Sequence, residues 1–378
     1  FSSPNIDSLP VFTGGLIGYF SYESFQYVEP KLKYQNSKIP LISLCESTEL
    51  VVFDNFKGTF YIIVNTKDKT SKGYDLAKAR INEIKTTLFS LQASIPHNIE
   101  KKNIDISSKS NIDYKTYEEQ VNTIKQFVHE GEIMQAVLSK EVTFEGSYDP
   151  MTLYRALRLI NPSPYMFYLS FDDFNVIGAS PEILVQQTNG KVTIRPIAGT
   201  RKRGETSNED LTNKIDLLED DKEKSEHMML VDLARNDLSK VAEIGTVQVD
   251  EMMVIEKYSH VMHMTSNVIG QKKSDASAVD CLKAALPAGT LSGAPKIRAM
   301  EILSKLENRV RGIYGGAVGY IGFNGSLDTA IVIRTAIHTN KDVKVGVGGG
   351  IVFDSIPENE WQETESKLAV FREALKYS

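Results

Sequence analysis

Two pairs of glutamates, Glu223 with Glu226 and Glu360 with Glu363, stand three residues apart in stretches whose pattern predicts helix. That spacing places both carboxylates of a pair on one helix face. Like charges so placed repel, and either pair alone reads first as a solvated acidic stripe. Lys367, four residues after Glu363, continues the second face. If the two helices face each other, four carboxylates share one cleft, which a hard divalent cation such as Mg²⁺, bound through oxygen, makes tolerable.

Three glycine-rich loops, 287–296, 311–316 and 346–351, could bring backbone N–H groups close to an anion. None has the GxxxxGK[ST] spacing of a phosphate loop, so each reads equally as a tight turn. Arg334 lies inside the apolar run 330–337, read as a mostly buried strand, where a guanidinium needs a carboxylate from protein or ligand. His263 reads plainly as a hydrogen-bonded core histidine, and Asn161-Pro-Ser-Pro-Tyr-Met-Phe-Tyr168 as a rigid turn entering a strand.

The elements that must position these groups follow from periodicity. Short β-rich runs at 16–20, 49–53 and 59–64 open the chain, and a helix is predicted over 74–91. Residues 93–111 carry no sustained period and read as a linker. The linker divides an N-terminal β-rich region, 1–110, from a second module, 111–378. Tyr114, Tyr117, Val121, Ile124 and Val128 recur at helical spacing and lead into a buried strand over 131–139. Further helices are predicted over 153–159, 211–240, 281–286, 298–306 and 357–377. Strands are predicted over 167–170, 176–177, 183–187, 192–196, 317–323, 330–337 and 343–346. Strand runs punctuated by helices, without regular alternation, predict an α+β chain rather than a doubly wound sheet.

Composition narrows the function class. With 378 residues, 41% of them apolar and 24% charged, the chain is not a disordered one. A net charge of −6 argues against a basic groove for nucleic acid or an anionic membrane surface. No apolar run reaches the length of a membrane span. Cys45 and Cys281 have neither disulfide-framework nor metal spacing, which makes a reducing cytoplasm the expected compartment. The chain does not begin with Met and reads as a fragment or a processed product.

Several runs together carry a specific likeness: Arg195-Pro-Ile-Ala-Gly-Thr200-Arg, Glu226-His-Met-Met-Leu-Val-Asp-Leu-Ala-Arg-Asn-Asp237, His260-Val-Met-His263, Pro287-Ala-Gly-Thr-Leu-Ser-Gly-Ala-Pro-Lys296, Gly316-Ala-Val-Gly-Tyr320 and Glu360-Trp-Gln-Glu-Thr-Glu-Ser-Lys367. In this order they resemble the chorismate-utilising enzymes, and among them the component I branch of the anthranilate synthases. Gly14-Gly-Leu-Ile-Gly-Tyr-Phe-Ser-Tyr22 extends the likeness to the opening of the chain.

The resemblance implies two antiparallel β-sheets packed face to face, helices outside and an active site between the halves. It implies a Mg²⁺-dependent lyase of tryptophan biosynthesis that turns chorismate and ammonia into anthranilate and pyruvate. Glu226 and Glu363 would ligate the metal, with Glu223 and Glu360 as further or water-mediated ligands. Tyr314, Arg334 and the backbone at Gly348 and Gly350 would take the enolpyruvyl carboxylate, and Lys367 the ring carboxylate. Glu182, in Ser180-Pro-Glu-Ile-Leu184, matches the family's general acid. Gln135 falls where water-adding relatives carry a lysine, which suits ammonia, a nucleophile needing no base. Ala198 falls where aminodeoxychorismate synthases typically carry a nucleophilic lysine. Thr200, His263 and Thr290 match the remaining positions, His263 as an aid to pyruvate elimination.

A separate glutamine amidotransferase subunit, component II, would supply the ammonia within a heterotetramer, since neither cysteine has a Gly-x-Cys-x-Gly context. Pro164, Tyr165, Met166, Val318 and Tyr320 match one side of the family's tryptophan pocket, and the LLES-type run of the other side does not occur. Feedback control is therefore half supported. Two other readings stand beside this one: an aminodeoxychorismate synthase component I lacking the active-site lysine, and a non-catalytic regulatory subunit that binds chorismate or tryptophan.

Overall fold

β-Branched and aromatic residues fill two sheets in the computed structural model, which describes residues 3–90, 99–258 and 261–378. The larger, nine-stranded sheet runs in the order Ile197–Lys202, Val261–Gln271, Lys191–Ile194, Ile183–Thr188, Leu327–Ile331, Ala317–Gly322, Gly15–Phe20, Ile42–Ser47, and Gln248–Lys257 also pairs with Val261–Gln271. The smaller, seven-stranded sheet is ordered Gly293–Ala294, Gln135–Glu145, Asp342–Ile351, Thr335–His338, Asn175–Ser180, Tyr165–Ser170, with Lys109–Ser110 also on Gln135–Glu145. All these pairings are antiparallel, as in the separate hairpin of Glu49–Asp54 with Thr59–Val64.

The sheets meet face to face through Tyr19, Val318, Ala330 and Val332 on one side and Val176, Tyr165, Phe167 and Ile337 on the other. Helices cover the outer faces. Asp221–Ser239 and Ala278–Ala285 pack on the large sheet, and Pro150–Ile160 and Pro357–Leu375 on the small one. Tyr114–His129 and Lys296–Glu307 enclose the start of the Gln135 strand. Leu153, Leu368 and Phe371 are wholly buried in these layers, and each such side chain contributes about 1.5–3 kcal/mol of apolar burial. Among the described residues no helix is long and apolar enough to cross a membrane.

Four sequence expectations are corrected. The helix expected over 211–240 is two, Ser207–Glu219 and Asp221–Ser239. Asp220 breaks it with extended backbone and caps the second helix by accepting from the N–H groups of Lys222 and Glu223. Glu223 thereby falls in the first turn of a helix, where its dipole favours anions, and Glu226 lies one turn further along. The strand expected over 330–337 is also two, Leu327–Ile331 in the large sheet and Thr335–His338 in the small one. Arg334 lies between them with φ +49°, a left-handed conformation costly for a side chain of its size. Both flanks are buried, so the apolar run hid the crossover.

The strand expected over 131–139 begins only at Gln135 and runs to Glu145, because Gly131, at φ +77°, ends the preceding helix. The linker expected over 93–111 falls partly on 91–98, outside the described residues, as does the last residue of the helix expected over 74–91. Residues 99–111 are mostly exposed but tethered: half-buried Ile99 and Ile106 lie against the core beneath the C-terminal helix, Lys101 pairs with Glu373 at 2.5 Å, and Lys109–Ser110 pairs with the Gln135 strand.

Candidate active site

The chain passes between the sheets at two adjacent places. One crossover joins Asn175–Ser180 to Ile183–Thr188 and carries Glu182; the other joins Leu327–Ile331 to Thr335–His338 and carries Arg334. They are stitched together, as Ile331 N donates to Glu182 O at 3.0 Å and Ala179 N to Arg334 O at 3.0 Å. A carboxyl and a guanidinium thus stand at the seam of the sandwich without either lying within a ladder.

A cavity of about 210 Å³ opens there, lined by Glu182, Thr290, Tyr314, Arg334, Gly348, Gly350 and Lys367 with apolar Val137, Ile197 and Leu291. Its size and its mixture of cationic and apolar walls suit a small anionic ring compound. Burial pushes the Glu182 carboxyl up to about 8, against the Thr290 hydroxyl and the Arg334 charge, which pull it down. Thr290 Oγ1 donates to Glu182 Oε1 at 3.3 Å. A carboxylic acid that keeps its proton at neutral pH can give it to a leaving group. Arg334 has no carboxylate within ion-pair distance among the described residues, so the partner its burial demands is left to a ligand.

The floor is the glycine-rich end of the Asp342–Ile351 strand. A Cβ on Gly346 would stand 2.4 Å from Tyr314 Cγ, and one on Gly350 would stand 2.3 Å from Gln135 Nε2. Glycine there lets the Tyr314 ring and the Gln135 amide lie against the strand. Burial pushes the Tyr314 hydroxyl up to about 12, which keeps it a donor. Lys367 donates to Gly348 O at 2.7 Å and pairs with Glu363 at 2.7 Å.

Thr200 and His263 face each other on paired strands, with Thr200 Oγ1 3.0 Å from His263 Nδ1. A bulge between Ala198 and Thr200 turns the Gly199 carbonyl to 3.2 Å from the same nitrogen. A proton on Nδ1 satisfies these oxygens and leaves the Nε2 lone pair free. Burial holds the His263 ring below the usual imidazole range, against the Gly199 carbonyl, so it is neutral at pH 7. His263 and Arg334 share a smaller cavity of about 70 Å³ beside the first. Of the run quoted with His263, His260 lies outside the described residues.

The two acidic helices do face each other. Burial, and then the neighbouring Glu223 and Glu360 charges, raise the Glu226 carboxyl despite Lys222; burial and Glu363 raise Glu360 despite a hydrogen bond from Ser355. The cluster is looser than the spacing suggested: among the described residues no three carboxylates converge on one point. Glu223 pairs with Arg201 at 3.2 Å and Glu226 with Lys222 at 3.9 Å. The all-oxygen donor set and its mutual repulsion fit a hard dication. Arg201, which also holds Asp216 at 2.5 Å and Asp220 at 2.7 Å, was missed from sequence. The signal for it was the density of acids from Asp216 to Glu226, whose mutual repulsion a neighbouring cation relieves. Lys296, at the end of one glycine-rich loop, is committed to Asp237 at 2.8 Å and is no free anion ligand.

Of the five expected inhibitor positions, Pro164, Tyr165, Val318 and Tyr320 gather on one face, and the Met166 side chain does not. Pro164 and Tyr165 line a cavity of about 280 Å³ with Arg195 and Asp328. Tyr165 OH donates to Asp328 Oδ1 at 2.8 Å, and Val318 packs with Tyr165 between the sheets. Tyr320 lies with its ring centroid 4.2 Å from that of Phe12. Met166, one residue along the strand, points the other way into the core beneath the helices.

Residues 3–373 match the family described as chorismate binding enzyme. The chain is 47% identical over 382 residues to anthranilate synthase component 1 of Neisseria meningitidis serogroup A, covering 99% of this chain and 77% of the relative. It is 44% identical to anthranilate synthase component 1 of Aquifex aeolicus, covering 98% and 76%. The crystal structure of anthranilate synthase component I from Streptococcus pneumoniae TIGR4 superposes with a TM-score of 0.88 at 36% identity, covering 98% of this chain and 83% of that one. MenF, the menaquinone-specific isochorismate synthase of Escherichia coli, shares the fold with a TM-score of 0.76 at 19% identity, covering 99% and 93%.

Proposed function

The chain belongs to the chorismate binding enzymes, and we propose that it is the large subunit of an anthranilate synthase, a lyase that converts chorismate and ammonia to anthranilate and pyruvate. The observation that carries this reading is Glu182, held protonated by burial, in one cavity with Thr290, Tyr314, Arg334 and Lys367. A second component, a glutamine amidotransferase, supplies the ammonia in a heterotetramer. The naming of the relatives as component 1 supports a partner.

In this reading Arg334 and Tyr314 hold the enolpyruvyl carboxylate over the Gly348 and Gly350 backbone, and Lys367 faces the ring carboxylate. Mg²⁺, when bound between the helices of Glu223 and Glu226 and of Glu360 and Glu363, supplies positive charge for that ring carboxylate. Ammonia forms a bond to ring C2 beside Gln135, both ring double bonds shift by one position, the C4–oxygen bond breaks, and the new ammonium gives a proton to solvent. Glu182 gives its proton to the departing hydroxide, which leaves as water. His263, neutral and oriented by Thr200 and Gly199, then assists loss of the C2 proton as the ether bond to the side chain breaks and pyruvate leaves. Ala198 offers only a methyl group, so the covalent lysine route to the 4-amino product has no nucleophile here.

The test is direct. The purified chain, given chorismate, ammonium and Mg²⁺, forms anthranilate, read by fluorescence, with an equal amount of pyruvate. A 4-amino product, or chorismate binding without turnover, overturns the reading.

His263→Ala separates the two stages. It slows pyruvate release more than chorismate consumption, by about 10²–10⁴-fold for an acid–base group, so an aminated intermediate still carrying the enolpyruvyl group accumulates. Chromatography of the quenched reaction shows it. Equal loss of both stages assigns His263 to binding instead.

A further inference from the structure

Arg311 is only 3% exposed and does not line the catalytic cavity, yet its guanidinium touches both walls. Nη1 donates to Leu291 O at 2.7 Å and Nη2 to Val137 O at 2.6 Å, and both residues line the cavity. The same guanidinium pairs with Glu307 through Nε at 2.9 Å and Nη2 at 2.6 Å. Glu307 Oε1 also accepts from Ser139 N at 2.8 Å and Ser139 Oγ at 3.0 Å. The Tyr22 ring lies 4.3 Å from the guanidinium carbon, and the Glu23 carboxylate accepts from Arg311 N at 2.6 Å and Gly312 N at 3.0 Å. One planar group thus joins the Gln135 strand, the loop of Thr290, the end of the Lys296–Glu307 helix and the opening of the chain. A lysine ammonium has no fork to span two carbonyls and a carboxylate.

We propose that Arg311 is a positioning residue for the general acid: by fixing the Leu291 and Val137 carbonyls together it holds the adjacent Thr290 hydroxyl against Glu182. The inference rests on Glu182 acting as that acid.

The groups facing Glu182 are Thr290 from the loop, Arg334 from the neighbouring crossover, Tyr314 and Lys367 across the substrate cavity, and Arg195 and Asp237 across the small cavity behind it. Of these, Thr290 and Arg334 draw its proton affinity down. Releasing Thr290 therefore makes Glu182 hold its proton more tightly. In Arg311→Lys the alkaline limb of kcat, measured at saturating chorismate and corrected to free ammonia, moves upward by about half a pH unit or more, the worth of one hydrogen bond. Thr290→Val moves it likewise, and the double variant moves no further than Thr290→Val alone.

A limb that stays in place while kcat falls reduces Arg311 to scaffolding, and additive shifts in the double variant separate it from Thr290; either overturns the proposal. Should Arg311→Lys not accumulate as folded chain, Tyr22→Leu removes the ring beneath the guanidinium and leaves the ion pair. A limb moved upward in that variant supports the proposal, and an unmoved one overturns it. A wild-type profile that forms anthranilate with no alkaline limb removes Glu182 as the acid and is distinct from failure of Arg311 alone.

Discussion

Glu182→Gln lowers kcat for anthranilate formation by about 10²–10⁴-fold, the usual worth of a positioned general acid, with little change in KM for chorismate. Glutamine keeps the shape and can still accept from Thr290, but it has no proton of comparable acidity for the departing hydroxide. The pH dependence identifies the group. Because its carboxyl is raised to about 8, wild-type kcat per free ammonia is level below that value and falls above it, whereas the residual rate of the variant is flat. Stability gives a second reading without turnover. The folded chain keeps a proton that the unfolded chain releases near 4.5, so the wild type loses stability as pH rises from there to about 8 and no further beyond. Glu182→Gln, which carries no such proton, gains Tm relative to wild type across that window. A Tm difference independent of pH, with a kcat limb surviving in the variant, would transfer the acid role to another group.

What the sequence revealed of this site, and what it concealed, divides along physical lines. The glutamate pairs were legible because helical spacing alone sets which side chains share a face. Their facing across a cleft was not, since that depends on how the Asp221–Ser239 and Pro357–Leu375 helices are carried on different sheets. Glu182 and Arg334 were visible as residues and hidden as geometry. An apolar run bridging two sheets reads as one strand, and only φ +49° at Arg334 reveals the turn. The strands Gln248–Lys257 and Val261–Gln271 went unrecognised because Glu, Met and His interrupt their alternation. Tyr165 and Met166 entered the expected inhibitor pocket through the resemblance alone, and which way each side chain turns was set only by the strand's period of two, Tyr165 between the sheets and Met166 toward the helices. Arg311 gave no signal, because a buried guanidinium acting on backbone carbonyls has partners far away in sequence, at Val137 and Leu291.

Removal of divalent cations abolishes anthranilate formation, and Mg²⁺ restores it. The argument begins from repulsion. Glu226 and Glu360 are each raised by burial and by neighbouring carboxylates, so bringing a dianionic substrate beside them without added positive charge is unfavourable. Lys367 alone cannot balance that ring carboxylate, since its ammonium is shared with Glu363 at 2.7 Å and with Gly348 O at 2.7 Å. Glu223, Glu226, Glu360 and Glu363 would hold a hard dication through oxygen, and it would supply the missing charge, worth several kcal/mol at the transition state, so the expected result is that Glu226→Gln or Glu363→Gln lowers kcat/KM by about 10²-fold or more. Binding is read separately from turnover. Mg²⁺ raises the Tm of the wild type by mass action, raises it less in Glu226→Gln, and leaves the circular dichroism of both unchanged. Full activity in excess chelator, or an equal Tm rise in wild type and Glu226→Gln, would show that these helices carry an acidic stripe rather than a metal site.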